Sequence, residues 1–372
     1  PSYLYLNGCT NYGPHIAVAV PSTSCSSEAT GLSAGMAGLV YSAARNAIDR
    51  GRLTTYPQDD GSFAPFPLSA NEVKQILTMS ADDIDFDARP ELGLPQNYRI
   101  DFALPQDIRS ERFPSIAGFD QYFGYGRINA RRAVERVRDG QIPPEASIES
   151  PAWFTLVSPS QRVLPVIGRV AANRAASFSW VLEVAPGVQP REDQFAPVAS
   201  GEEERARAGT LGEISLAELA ERMPYGVTGP ATDASGRPDP ERFTVTLRLR
   251  VRDDRGRVGE DRRAVFLHHD PDALFPTPYR LGSDGASPPV FADITGDGID
   301  ELIVATSDGL VHAFMGRDLQ ESPGWPVHTA PMEVQVDSPA FRSGEVEVPF
   351  TPVLAVPAVG DLDRDGTQEV VV

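Results

Sequence analysis

The sequence predicts a multidomain protein with three consecutive parts: an α/β segment, a β-sandwich and the beginning of an array of β-strand repeats. Three observations support this fold class. Strand-like and helix-like apolar stretches alternate over residues 1–137, strand-like segments separated by turn residues fill residues 147–272, and one strand–turn–strand plan occurs twice within residues 277–372. The length of 372 residues is sufficient for two or three domains.

The composition argues against two classes of protein. The formal net charge is −19, whereas a nucleic-acid-binding protein needs positive charge to meet phosphate groups. No apolar run of about 18 residues occurs, so we expect no membrane span in this chain. The two cysteines, Cys9 and Cys25, are equally consistent with a disulfide, as in an oxidising compartment, and with two unpaired thiols.

The first segment is expected to contain one strand and three helices. "HIAVAVP" predicts a short buried strand, and residues 28–49, rich in small side chains, predict a long helix. Ser69 precedes Glu72 by three residues, which is the spacing of a capping box, so a second helix is expected to begin there. "GRINARRAVERVRDG" predicts a third, amphipathic helix that ends at Gly140.

The second part has the pattern of a β-sandwich. "RVLPVIGRVAA", "ASFSWVLEVAPG" and "TVTLRLRVR" are predicted strands, and the strict alternation in the last one predicts a sheet with one solvent-exposed face. A Glu/Arg-rich stretch around a short helix, "SLAELAERM", is interpreted as an insertion. The pattern is typical of the immunoglobulin or fibronectin type, joined to the first part by the linker "QIPPEASIESP".

The third part repeats itself. "PPVFADITGDGIDELIVAT" and "AVPAVGDLDRDGTQEVVV" share a proline, a short apolar strand, an Asp-rich turn and a second apolar strand. The turns begin at Asp293 and Asp361, 68 residues apart. A period of this size with several strands in each unit indicates a β-propeller or a similar array.

The two turns carry oxygen-bearing side chains at alternate positions, which is the pattern of a metal-binding loop. Such ligands suit Ca²⁺ rather than Zn²⁺, which favours Cys and His. The predicted ligands are Asp293, Thr295, Asp297 and Glu301 in the first turn and Asp361, Asp363, Asp365 and Glu369 in the second. A solvated Asp-Gly turn without an ion is the alternative. The second turn favours the ion more, because its three aspartates repel one another without a cation.

Both turns, together with the "GWPV" of residues 324–327, resemble the Ca²⁺ loops of FG-GAP and VCBS-type propeller repeats. The resemblance covers about the last 90 residues. It implies that the chain holds the first repeats of an incomplete β-propeller.

Residues 22–47, "STSCSSEATGLSAGMAGLVYSAARNA", place small hydroxyl and thiol side chains directly before the long helix. Serine commonly caps a helix, so capping is one interpretation of Ser27 and nucleophilic catalysis is the other. A lipase or esterase elbow is disfavoured because the stretch lacks the G-x-S-x-G pattern.

The segment "SSEATGLSAG" resembles the motif G-T-S-x-A-x-P-x-x-A-G of subtilisin-like serine peptidases, with Ser27 at the position of the nucleophile. "NYGPHIAVAVP", "EVKQILTMSADDID" and "GYGRINARRAV" resemble further segments of that family in the same order. The resemblance implies that residues 1–137 are the C-terminal part of a subtilase catalytic domain, with Ser27 at the N-terminus of a buried helix. Cys25, Ser26 and Gly31 depart from the family pattern.

A serine nucleophile needs a base and an orienting carboxylate. In subtilases the Asp, the His and the oxyanion Asn precede the serine, but only 26 residues precede Ser27, and His15 matches no catalytic position. We therefore expect a fragment of a secreted, extracellular serine endopeptidase that cleaves protein substrates, the fragment alone being inactive. The alternative is an extracellular Ca²⁺-binding adhesion protein with an inactive subtilase domain.

Overall fold

The computed structural model describes residues 11–22, 26–85, 115–232, 236, 239, 241–269, 281, 283, 287–316, 318–344 and 348–372. Within these residues the protein is mixed α/β, with several separate sheets and a predominance of strands. The chain divides into two compact units, Pro1–Asp272 and Ala273–Val372. The first unit contains both of the first two predicted domains, and the division into three domains stays a prediction.

Three helices begin the first unit: α1 (Ser26–Asp49), α2 (Ala70–Met79) and α3 (Ala130–Arg138). All three predicted helices are thereby confirmed. The predicted capping box is present, because the Ser69 hydroxyl accepts the Glu72 N–H at 2.9 Å and the Glu72 carboxylate accepts the Ser69 N–H at 3.2 Å. The helices share one apolar core, formed by Val40, Ala44, Leu68, Ile76, Ala133, Val137 and Ile142.

The predicted buried strand at "HIAVAVP" is wrong. Val18 and Ala19 form only isolated bridges, to Gly124 and Arg127, and none of residues 15–20 is buried. An apolar run becomes a buried strand only when neighbouring strands cover both of its sides. Here the run pairs with a turn instead, in which Tyr125 donates its N–H to the Ala17 carbonyl at 2.9 Å.

Eight strands and one α-helix follow in the described part of the first unit. In chain order they are β1 (Glu145–Ser150), β2 (Thr155–Val157), β3 (Val163–Ala171), β4 (Phe178–Pro186), β5 (Ala196–Glu203), β6 (Arg207–Ser215), α4 (Leu216–Arg222), β7 (Thr244–Asp253) and β8 (Val258–Leu267). They form a three-stranded sheet in the order β1-β3-β6 and a five-stranded sheet in the order β2-β8-β7-β4-β5. All pairs are antiparallel except β2 and β8.

Both sheets contribute to one apolar core. Val166 on β3, Leu182 on β4 and Leu247 on β7 are all fully buried in the same cluster, together with Trp180 on β4. Removing large aliphatic side chains from water is the main favourable contribution to folding, so this cluster is the principal source of stability in the first unit.

Two details of the predicted sandwich are wrong. The Glu/Arg-rich stretch interpreted as an insertion forms strands β5 and β6, which belong to the two sheets and carry several exposed residues. The outer face of β7 is not fully exposed, because Arg248 is only 1% exposed. A short 3-10 helix, Glu192–Gln194, lies over it, so that the Arg248 guanidinium packs on the Phe195 ring at 3.7 Å and pairs with Glu183 at 2.8 Å.

The second unit contains short strands and one short helix: β9 (Val290–Ala292), β10 (Glu301–Ala305), β11 (Leu310–Phe314), β12 (Val327–His328), α5 (Pro339–Arg342), β13 (Ala358–Gly360) and β14 (Glu369–Val371). The first four strands form an antiparallel sheet in the order β12-β11-β10-β9, and β13 pairs with β14. The described residues form neither a closed barrel nor a propeller. No helix in the described part of the chain has the length and apolar character that crossing a bilayer requires.

Candidate functional site

The two Asp-rich turns join antiparallel neighbours in the same register. In the first hairpin Glu301 lies opposite Ala292, the residue before Asp293. In the second, Glu369 lies opposite Gly360, the residue before Asp361. The two turns are therefore equivalent, and each places its first aspartate and its final glutamate beside each other at the mouth of a hairpin.

In the first turn the Asp293 carboxylate organises the backbone. One oxygen accepts the N–H of Gly296 at 2.7 Å and of Asp297 at 3.2 Å, and the other accepts the N–H of Gly298 at 2.8 Å. These bonds, the one from Gly298 foremost, lower the pKa of Asp293, so its carboxylate is ionised at neutral pH. The Glu301 side chain is 2% exposed and accepts the N–H of Ile294 at 3.0 Å.

The second turn repeats this scheme. The Asp361 carboxylate accepts the N–H of Asp365 and of Gly366, each at 3.1 Å, and Glu369 accepts the N–H of Leu362 at 2.7 Å. Gly366 adopts a φ of 93° and its counterpart Gly298 a φ of 82°. This left-handed conformation explains the glycine at that position of both turns.

The second turn brings three acids together as a candidate cation site. Carboxylate oxygens of Asp361, Asp363 and Glu369 all lie within 4.8 Å of one another. Asp365 is outside this group: its carboxylate accepts the Thr367 N–H at 2.8 Å and the Thr367 hydroxyl, and the bond from that hydroxyl is the main cause of its lowered pKa. Among the described residues, no such group of three includes an acid of the first turn.

The turns differ at their third position. Asp363 adds a carboxylate to the second turn, whereas Thr295 leaves the first turn with two acids near its mouth. Asp297 accepts the N–H of Ile299 at 2.9 Å, which is the bond that Asp365 makes to Thr367. Three of the eight predicted ligands, Asp361, Asp363 and Glu369, come together, and the assignment of the other five stays a prediction. The sequence could not show that the fifth position of each turn acts as a backbone acceptor.

Ser27 lies in the first turn of α1, which begins at Ser26, and its side chain is exposed. The adjacent Glu28 accepts a hydrogen bond from the Ser22 hydroxyl at 2.7 Å. Further along the helix, a Cβ atom added at Gly31, Gly35 or Gly38 would meet no described atom within 4 Å. The N-terminal half of α1 thus presents an open face of small residues.

The histidines of the first unit make other contacts. His15 is exposed and lies edge-on to Phe154, with ring centroids 5.5 Å apart. His268 is within hydrogen-bond distance of the Gly229 carbonyl, at 3.0 Å. Within the described part of this unit no contact joins the imidazole of His15 or of His268 to Ser27. Cys9 and Cys25 lie outside the described residues.

The second unit contains a pair of a buried histidine and a partly buried glutamate that the sequence did not suggest. The Nδ1 atom of His312 lies 2.6 Å from the Glu321 carboxylate, and the ring stacks on Phe314 with centroids 5.7 Å apart. Its position on a strand next to a charged turn was the only signal in the sequence.

No known protein-family model matches the sequence, and a search of curated proteins found no match either.

Proposed function

We propose that the chain is the nucleophile-bearing C-terminal part of an extracellular subtilisin-like serine endopeptidase, followed by an immunoglobulin-like sandwich and Ca²⁺-binding repeats. The observation that carries the proposal is the exposed Ser27 in the first turn of a 24-residue helix, α1, which two further helices follow in the family's order. The likeness to the family rests on the sequence motifs alone.

The first turn of α1 suits a nucleophile of this kind. The unpaired N–H groups at the start of a helix and its dipole stabilise negative charge, and an acyl-transfer reaction develops negative charge on the substrate oxygen. The open face at Gly31, Gly35 and Gly38 fits a helix that a sheet packs against closely. In this proposal the Asp, the His and the oxyanion Asn come from residues upstream of this sequence.

The strand order supports an immunoglobulin-like sandwich. The arrangement β1-β3-β6 against β2-β8-β7-β4-β5 resembles the variable-type division of strands between two sheets, in which β5 would be one of the two added strands. Trp180 on β4 is 4% exposed and occupies the place of the buried tryptophan typical of that fold. The short helix α4 connects the two sheets.

Ca²⁺ is the proposed cofactor of the repeats. Three carboxylates that converge without a counter-charge are stabilised by a hard divalent cation, and an all-oxygen donor set suits Ca²⁺. The group of Asp361, Asp363 and Glu369 supplies such a set. The repeated hairpin register is what FG-GAP-type repeats of an incomplete propeller would contain.

A second function, an extracellular Ca²⁺-binding adhesion protein with an inactive subtilase domain, is favoured by one observation. Glu28, the residue after the proposed nucleophile, is a carboxylate held at 2.7 Å by Ser22, and its negative charge opposes formation of an alkoxide and an oxyanion nearby.

The test uses the complete polypeptide, including the residues upstream of this sequence, and a fluorophosphonate probe that labels activated serines. Ser27→Ala is expected to abolish labelling and nearly all peptidase activity, whereas the control Ser26→Ala keeps both. Labelling that persists in Ser27→Ala contradicts the assignment. Absence of labelling and activity in the unaltered protein favours the adhesion function instead.

A further inference from the structure

The connection between the helices and the sandwich is buried, although its composition predicted a linker. Ile142 is 2% exposed and belongs to the apolar core of the three helices. Pro143 and Pro144 are also buried, and β1 begins at Glu145, which is 4% exposed. A linker between independent domains is exposed, and few contacts form across it. This buried segment is therefore not a linker.

Gln75 on α2 completes hydrogen bonds of the sandwich backbone. Its side chain is fully buried, and its amide nitrogen donates to the carbonyls of Glu260 at 3.1 Å and Ala146 at 3.3 Å. Its amide oxygen accepts the Glu260 N–H at 2.9 Å. Buried backbone groups without partners are costly, so the sandwich depends on α2 for part of its own hydrogen bonding.

Ion pairs reinforce the same interface. Glu145 at the start of β1 receives hydrogen bonds from Arg169, at 2.6 Å, and from the hydroxyl of Ser69. Arg174, after β3, pairs with Glu72 of α2 at 2.5 Å, and the two side chains are only 9% and 4% exposed. Removal of one partner from a buried pair is strongly destabilising, because the other charge is left buried without compensation.

The backbones themselves are packed closely at this interface. A Cβ atom added at Gly259 on β8 would overlap the carbonyl oxygen of Pro144 and would lie 3.2 Å from the side-chain oxygen of Gln75. The hairpin of β7 and β8 therefore approaches the connection to a distance that only glycine permits.

A neighbouring face of α2, about 100° around the helix from Gln75, packs in the core to which the helix carrying Ser27 contributes. Ile76, next to Gln75, is fully buried against Val40 and Ala44 of α1. A single ten-residue helix thus contributes Ile76 to the helical core and Gln75 to the sandwich.

We propose that the sandwich is an obligatory folding partner of the Ser27-bearing segment, and that α2 makes the two parts of the first unit fold and unfold as one cooperative body. The inference depends on the interface and not on the catalytic role of Ser27. A separately folded, tethered sandwich would instead unfold in its own transition.

Circular dichroism and tryptophan fluorescence can follow the unfolding of the helical segment and of the sandwich individually. The helical signal reports mainly the first segment, since α1, α2 and α3 contain 24, 10 and 9 residues against 7 in α4 and 4 in α5. In a Trp325→Phe background the remaining tryptophans, Trp153 and Trp180, both report the sandwich part. In denaturant titrations of the 372-residue chain, we expect the transitions of the first unit seen by circular dichroism and by fluorescence to coincide.

Gln75→Ala is expected to move both midpoints to lower denaturant by the same amount. Lys74→Met, which removes a partly exposed partner of Asp261 at 2.5 Å, is the milder variant should Gln75→Ala fail to fold. The exposed helix variant Glu135→Gln is the control and should move neither midpoint appreciably. Separate transitions in the parent chain, a fluorescence midpoint that stays in place while the helical midpoint falls, or no shift of either midpoint would overturn the proposal.

Discussion

Asp120 is a buried acid whose ionisation should make the stability of the first unit depend on pH. Asp120 is 1% exposed, and one of its carboxylate oxygens accepts hydrogen bonds from the N–H groups of Tyr122 and Phe123, each at 2.8 Å. Burial raises the pKa of Asp120 to about 7, and the nearby Asp83 acts in the same direction, against the backbone hydrogen bonds. We therefore consider the replacement Asp120→Asn, which keeps an oxygen acceptor and cannot ionise.

The direction of this pH dependence follows from the number of protons that the folded and the unfolded protein bind. The unfolded acid titrates near its ordinary pKa of 3.8, so between about pH 4 and pH 7 the folded protein binds the extra proton. The contribution of Asp120 to the free energy of unfolding is complete below pH 4 and is lost as the pH rises through 7. At about 1.4 kcal/mol for each unit of pKa difference, the loss amounts to about 4 kcal/mol.

The assay is urea unfolding of the parent chain and of Asp120→Asn at a series of pH values from 4.5 to 8. The free energy of unfolding of the variant, minus that of the parent, should become more positive between pH 4.5 and about pH 7 by about 3 kcal/mol and then level off. Asp60→Asn is the matched control: Asp60 is exposed, and a hydrogen bond from Ser62 lowers its pKa, so its difference from the parent should be flat above pH 5. A difference for Asp120→Asn that does not change with pH would refute the reasoning.

Two further predictions concern the repeats and the sandwich core. Ca²⁺ should raise the melting temperature of the second unit. At a hundredfold excess of Ca²⁺ over the dissociation constant, the free energy of unfolding should increase by roughly 2.7 kcal/mol. Calorimetry should show a larger loss of Ca²⁺ affinity for Asp363→Ala than for Asp297→Ala; a melting temperature that EDTA leaves unchanged contradicts the metal assignment. Leu182→Ala, at a fully buried position, should reduce the free energy of unfolding by about 2–5 kcal/mol, whereas Ser179→Ala on the exposed face of the same strand should have little effect.

Local signals in the sequence were sufficient for the helices and for the Asp-rich turns. The capping box at Ser69 and Glu72 acts within one helical turn, so its effect is independent of the rest of the fold. The same holds for the turn at Asp361, where nearly all the hydrogen-bond partners lie within seven residues. For these elements the spacing of residues along the sequence is sufficient to predict which groups form hydrogen bonds.

Features that depend on distant residues could not be predicted in this way. Arg248 has the alternation of an exposed position, yet Phe195 and Glu192, more than fifty residues earlier, cover it. The Pro-rich connection around Pro144 reads as a linker because nothing nearby in the sequence reveals that Gly259 packs on it. "HIAVAVP" has the composition of a buried strand, but composition does not specify the neighbours that bury it.

The close approach of Gly259 to Pro144 has a consequence for how this protein can vary. The composition near residue 140 is that of a linker, so a recombination or truncation point would naturally be placed there. Such a point would separate Ile142 from the helical core and remove the surface on which the β7–β8 hairpin lies. Exchange of the sandwich for a homologous one would require the incoming chain to carry a glycine opposite the connection, together with backbone carbonyl and N–H groups that pair with the side chain of Gln75. The two parts are therefore expected to be inherited together, and shuffling should fail at breakpoints within the connection between Gly140 and Glu145.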